Sequence, residues 1–143
     1  MTPVGYCCYM PSSPLSSITR MSATVKDLFT YLYDLTPMEL DVLLILNRIN
    51  KPLTLDEISQ ESDRDRTTVF RSLQKLVRAG ICNKETKTMK DGGYYHVYSP
   101  IEIETFKLET QKRVDELKEG LDRILKKFEQ DMTKAIELSY RKE

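Results

Sequence analysis

The chain lacks the residue sets from which most metal centres, disulfide frameworks and catalytic sites are built. It has one histidine and three cysteines in 143 residues. Cys7 and Cys8 are adjacent and Cys82 stands alone, so neither a zinc-binding spacing nor a disulfide framework is present. A glycine-rich phosphate loop and a Ser/His/Asp set are also missing. We therefore expect no metal, no cofactor and no enzymatic activity.

Long apolar runs are absent as well. No stretch of about 18 consecutive apolar residues is available for a membrane span. The first twenty residues lack the charged start and apolar run of a signal peptide. These absences predict a soluble cytoplasmic protein that has no membrane partner.

Net charge is also absent, since 22 basic residues balance 22 acidic ones. The two signs are nevertheless separated along the chain. Residues 22–63 hold three Lys/Arg against eight Asp/Glu, and residues 64–90 hold eight against two. Positive charge is therefore concentrated in one short segment, which is where a polyanionic partner would bind.

Composition and periodicity divide the chain into three parts. Residues 1–21 are rich in Pro and Ser without a period, so we expect a tail with little fixed structure. Residues 22–100 carry the signals of a compact domain. Residues 101–143 contain no proline and predict one long helix from about 102 to 140, with Gly120 as a candidate bend.

The compact domain begins with two predicted helices, from about 23 to 33 and from about 37 to 48. Thr36, Pro37 and Glu39 form an N-cap, a proline at the first helical position and the acid of a capping box. Apolar residues cover most of the second helix, which predicts that it is the most buried one. We expect a core built from the side chains of Leu43, Ile45, Leu46, Leu73 and Leu76.

A helix-turn-helix follows. A second capping box at Thr54 and Glu57 opens a short helix to about Gln60, and a third helix runs from a cap at Asp65 to about residue 79. Gly80 supplies the left-handed stop. Two capped helices joined by a tight turn are typical of this motif.

A β-hairpin completes the domain. Two runs rich in β-branched and aromatic residues, 81–88 and 94–99, flank a turn that contains Gly92 and Gly93. The predicted fold class is mainly α with a small β-hairpin wing (α+β): a winged helix-turn-helix followed by a long C-terminal dimerisation helix.

The third helix presents a polar face that is suited to DNA. Its apolar residues fall on one side, and Arg, Gln and Thr side chains on the other are hydrogen-bonding partners for base edges and phosphates. An exposed basic face is usually only solvated, but here it follows a helix and tight turn and precedes a basic hairpin. The predicted DNA-binding residues are Arg64, Arg66, Thr67, Thr68, Phe70, Arg71, Gln74, Lys75, Arg78, Lys84, Lys87 and Lys90.

Residues 36–100, above all DRDRTTVFRSLQKLVRAGI and the basic hairpin with its Gly-Gly tip, resemble winged-helix regulators of the MarR and TrmB type, particularly short archaeal ones. The shared T-V-x-R-x-L-x-x-L-x-x-x-G spacing is met by Thr68, Val69, Arg71, Leu73, Leu76 and Gly80. The resemblance implies that Arg71 contacts DNA and that the wing, residues 84–93, reaches the backbone or the minor groove. TrmB proteins proper carry a large sugar-binding domain after the winged helix. None is seen here, so we do not expect a sugar effector.

The C-terminal helix carries an apolar stripe with 3-4-3-4 spacing, widened after a register shift near Asp131. A stripe this long predicts a partner helix, most economically a second copy of the chain. The alternative is that the helix folds back on its own domain. The predicted dimer interface contains Val114, Leu117, Leu121, Ile124, Leu125, Phe128, Met132 and Ala135.

Two further residues invite a functional interpretation. His96 has no partner at ligand spacing, so a structural role beside Tyr94 and Tyr98 is favoured over metal binding or catalysis. Cys82 at the start of the wing is expected to be a small packed residue, with a redox switch as the less favoured alternative.

Together these features predict a transcription regulator that binds specific double-stranded DNA as a homodimer. The alternative is a winged-helix module that binds a protein in a transcription or chromatin assembly. The target sequence, the direction of regulation and any small-molecule effector are not predicted.

Overall fold

The computed structural model describes residues 14–141. A first unit of the chain ends at Glu102 and a second begins at Ile103. In chain order the elements are α1 (Pro14–Thr19), α2 (Val25–Leu32), α3 (Pro37–Ile49), β1 (Leu53–Thr54), α4 (Leu55–Ser62), α5 (Arg66–Arg78), β2 (Cys82–Thr88), β3 (Tyr94–Pro100), α6 (Ile103–Lys126) and α7 (Phe128–Tyr140). The predicted mainly helical fold with a hairpin wing is confirmed.

The N-terminal segment differs from the expected tail. Pro14 starts α1, where its fixed φ favours a helix, and the Thr19 hydroxyl donates to the Leu15 carbonyl at 2.9 Å. An ion pair of 3.1 Å joins Arg20 to Asp27 at the start of α2. The prediction of little fixed structure is therefore wrong for residues 14–19. Its remainder, residues 1–13 with Cys7 and Cys8, lies outside the described residues.

Side-chain caps define the helix starts as predicted. Thr36 and Glu39 form a reciprocal capping box at the start of α3: the Thr36 N–H donates to the Glu39 carboxylate at 2.8 Å. Thr54 and Glu57 form the same arrangement at the start of α4. These caps satisfy backbone N–H groups that a helix start leaves unpaired, and so they fix where each helix begins.

A three-stranded antiparallel sheet has the order β1-β3-β2. The hairpin β2–β3 was predicted, whereas β1 was not. Leu53 pairs with Tyr98 and Thr54 with Val97. Strand β1 is only two residues long and is recognised as a strand because it pairs with β3. Gly92 has a φ of +95°, the positive value that the hairpin turn requires.

The core of the first unit lies where α3, α4 and α5 pack together and meet the sheet. Leu43, Leu46, Leu73 and Leu76 are fully buried, as predicted. Ile45 is only half-buried and lines a surface pocket beside Met38 and Arg48, so its assignment to the core is corrected. The most deeply buried side chains are Val42, Leu43, Leu46, Ile58, Val69, Leu73, Leu76 and Ile81.

The second unit consists of two helices rather than the single one expected. The Lys127 N–H bonds to the Ile124 carbonyl at 3.2 Å, an i→i−3 contact that replaces the α-helical i→i−4 bond, and α7 begins at Phe128. The bend expected at Gly120 is not seen, because this residue lies inside α6. The register shift expected near Asp131 is not seen at that residue, which lies inside α7; the break falls at Lys127.

None of the helices within residues 14–141 has both the length and the apolar character of a membrane span.

Candidate nucleic-acid interface

Helix α5 has one buried face and one exposed polar face. Val69, Leu73 and Leu76 are fully buried. Because these residues recur at helical spacing, the side chains of the opposite face project outward. The exposed predicted residues on α5 are Arg66, Thr67, Arg71, Gln74 and Arg78, and Arg64 is exposed just before the helix.

The start of α5 is set by Asp65. One carboxylate oxygen accepts from the Thr68 N–H at 3.0 Å and the other from the Thr68 hydroxyl at 2.5 Å. The Thr68 hydroxyl, with the help of its backbone N–H, holds the pKa of Asp65 below its ordinary value. Thr68 is therefore engaged in the cap, although it was predicted to contact DNA.

Arg66 is also paired within the chain. Its Nε lies 2.9 Å from Oδ1 of Asp56 at the start of α4, and both side chains are about two-thirds exposed, at 66% and 65%. An ion pair this exposed contributes little to stability and is readily exchanged for another anion. Arg66 therefore remains available to a ligand, provided that the ligand competes with Asp56.

Lys75, which was predicted to contact DNA, is engaged within the chain. Its ammonium lies 3.0 Å from the Glu39 carboxylate and also donates to the Asp34 carbonyl, so it ties α5 to the start of α3. Only 30% of the side chain is exposed. Of the basic residues predicted on α5, Lys75 is thus engaged in packing and does not belong to the exposed face.

The wing separates lysines that the sequence placed together. Lys84 is opposite Tyr98 in the β2–β3 register and Lys87 is opposite Tyr95. Because successive side chains alternate between the two faces of a strand, Lys84 and Lys87 project from opposite faces. Lys84 shares a surface pocket with Gln74 and Arg78 of α5, and the exposed Lys90 lies in the turn at the hairpin tip.

A groove lies between the N-terminal part of α5 and the wing. It has a volume of about 590 Å³. Phe70, which is half-buried, forms part of one wall and β3 forms another. We call it the helix–wing groove; its lining includes Asp56, Arg66, Phe70, Tyr94, His96 and Tyr98.

Of the residues that line this groove, only Arg66 and Phe70 were predicted to bind DNA; Tyr94, His96 and Asp56 are among those that were not. Tyr94 is 74% exposed. His96 is exposed and its Nδ1 lies 3.0 Å from the Thr86 hydroxyl, on the same strand face as Tyr94 and Tyr98. Asp56 is negatively charged, so a search for basic DNA-binding residues does not find it. Strand alternation in YYHVYS is the signal that groups Tyr94 and Tyr98 with His96.

Cys82 is buried, in agreement with the packing interpretation. Burial raises the pKa of its thiol to about 12. Because the thiolate is the oxidisable form, reactivity at neutral pH is low and a redox switch is disfavoured. Burial, together with the neighbouring Cys82, also raises the pKa of Tyr98.

The second unit presents the apolar stripe to solvent. Leu117, Leu121 and Ile124 are 40%, 53% and 64% exposed, and Phe128 is 56% exposed. Val114 is half-buried, whereas Leu125, Met132 and Ala135 are exposed. An exposed apolar surface of this length on one side of a helix is typical of an interaction site.

Comparisons with known proteins agree with this architecture. Residues 31–104 match the family described as sugar-specific transcriptional regulator TrmB. The uncharacterized protein MJ1503 of Methanocaldococcus jannaschii is 39% identical over 67 residues, which are 47% of this chain and 51% of that protein. The chain thus matches about half the length of this relative.

Two solved structures share the fold. A possible transcriptional regulator from Methanosarcina mazei Go1 has a TM-score of 0.69 at 24% identity, over 77% of this chain and 95% of that one. The ST1889 protein from Sulfolobus tokodaii has a TM-score of 0.56 at 23% identity, over 67% of this chain and 93% of the other. At these identities the likeness concerns the fold.

Proposed function

The chain belongs to the TrmB family of transcriptional regulators, and we propose that it acts as a homodimer on specific double-stranded DNA. The observation that carries this proposal is the exposed polar face of α5, opposite the fully buried Val69, Leu73 and Leu76. A helix held in this way by its domain has the width and the donors to enter a major groove.

Within the proposed complex, Arg71 is the central base-reading residue. It lies one helical turn after Thr67 on the exposed face, and its guanidinium forms no ion pair within 4.0 Å among the described residues. A free guanidinium can donate two parallel hydrogen bonds to guanine. Thr67, Gln74 and Arg78 extend this surface along the helix.

Phosphate contacts are assigned to residues around this face. Arg64 precedes α5, Lys84 lies beside Arg78, and Lys90 lies at the wing tip. Phosphate contacts position a protein on the duplex and make its affinity depend on salt, without reading sequence. We leave Lys75 out of the proposed surface because its ammonium is engaged with Glu39.

The exposed stripe of the second unit supports dimerisation. A single winged helix reads too few base pairs to select one site in a genome, and two copies double the number that is read. A second copy of the same stripe is a self-complementary partner, as two-fold symmetry requires.

The proposal is tested by fluorescence anisotropy with the full chain and a pool of labelled genomic duplexes, over a range of salt concentrations. Affinity should fall steeply as salt rises, because each phosphate contact releases counterions. Arg71→Ala should weaken binding by about 1–3 kcal/mol without lowering the melting temperature. Lys26→Ala, which removes one positive charge from the exposed surface of α2, serves as the matched control and should bind as the wild type does.

The outcomes separate the two classes of function. Binding that is absent, or that does not respond to salt, would contradict DNA binding and favour a protein partner. Equal losses for Arg71→Ala and Lys26→Ala would show that only total charge matters, and would remove Arg71 from its assigned place.

A further inference from the structure

The helix–wing groove lies where a DNA strand would have to pass. This inference rests on the proposed function. In a duplex, a sugar–phosphate strand separates each major groove from the neighbouring minor groove. If α5 occupies the major groove and the wing lies over the adjacent minor groove, the strand between them crosses the space between Arg66 and Tyr94. That space is the helix–wing groove.

Most of the side chains that line the groove can contact the sugars or the phosphates of such a strand. Phe70 and Tyr94 present aromatic surface on which a deoxyribose can pack, and the Tyr94 hydroxyl and the Arg66 guanidinium can donate to phosphate oxygens. His96 offers a ring nitrogen on the same strand face as Tyr94. These groups indicate a sugar–phosphate strand as the occupant.

Asp56 is the exception in this lining. Its carboxylate is 65% exposed in the groove and lies 2.9 Å from Arg66. A carboxylate in this position repels a passing phosphate. It also holds the Nε end of the Arg66 guanidinium, so a DNA strand that binds this group must compete with Asp56 for it.

We propose that Asp56 is a specificity-determining residue that restrains sequence-independent DNA binding, through its charge in the helix–wing groove and through its hold on Arg66. A random duplex offers Arg66 only phosphate in exchange for Asp56. A favourable site also offers a base edge, which replaces the lost ion pair more fully. Asp56 thereby lowers binding to random DNA more than binding to a target.

The test uses the full chain and one labelled duplex of mixed sequence, measured by anisotropy at two salt concentrations. Asp56→Asn should bind about three- to tenfold more tightly than the wild type. The slope of log affinity against log salt concentration should become steeper by about one unit, as expected for one added phosphate contact. The matched control is Asp63→Asn, which removes the same charge at the other end of α4. Asp63 has a φ of +54°, a conformation that Asn tolerates, and it does not line the groove. The control should bind as the wild type does.

A double-mutant cycle separates the two actions of Asp56. In an Arg66→Gln background, Asp56→Asn should yield a smaller gain, because only the repulsion of phosphate remains to be relieved. Circular dichroism checks that each variant is folded, and Asp56→Ser provides a second neutral residue at a helix start.

The inference is wrong if Asp56→Asn and Asp63→Asn strengthen binding equally, because net charge would then explain the gain. It is also wrong if Asp56→Asn brings no gain while the wild type binds with a steep salt dependence; that result leaves the proposed function standing. A wild type that shows no salt-dependent binding overturns both.

Discussion

Replacing Leu121 and Ile124 together by Asp should split the proposed dimer. In the single chain these side chains are 53% and 64% exposed, so about half of each remains to be buried by a partner. Burying a whole Leu or Ile side chain stabilises by about 1.5–3 kcal/mol, so each contributes about 1 kcal/mol at the interface. A symmetric dimer contains four such side chains, which makes about 4 kcal/mol.

A loss of this size corresponds to an association about a thousandfold weaker. The introduced carboxylates weaken it further, since burying an unpaired charge is unfavourable. Light scattering should therefore report a folded monomer of 16.7 kDa for the double variant and twice that mass for the wild type. Circular dichroism should show an intact first unit, because the buried Leu43, Leu46, Leu73 and Leu76 do not belong to the stripe.

Leu108→Asp is the matched control. Leu108 is 70% exposed on the same helix, and the α-helical period places it on the side opposite Leu121. This variant should remain dimeric. A monomeric wild type, a dimeric double variant or a monomeric Leu108→Asp would each refute the assignment of the stripe as the interface.

Three further outcomes follow from particular contacts. Lys84→Ala should reduce the slope of log DNA affinity against log salt concentration by about one unit, whereas Lys87→Ala on the other strand face should change this slope less. Equal slopes for the two variants would contradict the assignment of the faces. The pKa of Asp65 is lowered in the folded chain, so its cap stabilises above its unfolded pKa and this contribution is lost as pH falls through the folded value. When the pH is lowered below about 4, the melting temperature of Asp65→Asn should accordingly fall less than that of the wild type. If both melting temperatures fall equally, the result would count against this cap. Gly120→Ala should stabilise α6 by about 0.5–1 kcal/mol, since the added Cβ would meet only the flexible end of Arg123 at 3.8 Å; a lower melting temperature would mean that position 120 faces another surface.

The helix-turn-helix could be predicted because its signals are local. Thr54 with Glu57, and Asp65 with Thr68, are hydrogen-bonded pairs only three residues apart, so their spacing in the sequence already contains the interaction. The end of α5 is also marked locally, because Gly80 has a φ of +79°, a conformation that favours glycine. The exposed face of α5 was predictable for a related reason, since helical periodicity assigns each side chain to a side.

Local signals were less informative about the second unit. Residues 102–140 contain no proline and one glycine, so the sequence predicted a continuous helix with its weakest point at Gly120. The break occurs at Lys127, where a single backbone bond shortens to i→i−3. No residue type marks this position, because any residue can make that change.

What the sequence by itself determined is the order of the elements, their caps and the concentration of positive charge in residues 64–90. Only the tertiary structure decided which of those charges are available. Lys75 is engaged by Glu39, 36 positions earlier in the chain, and Arg66 is paired with Asp56 across the turn of the motif. Lys84 and Lys87 are separated by the pairing of β2 with β3. The physical reason is that an ion pair or a strand face depends on distance in space, which packing between elements sets and which spacing along the chain does not reveal.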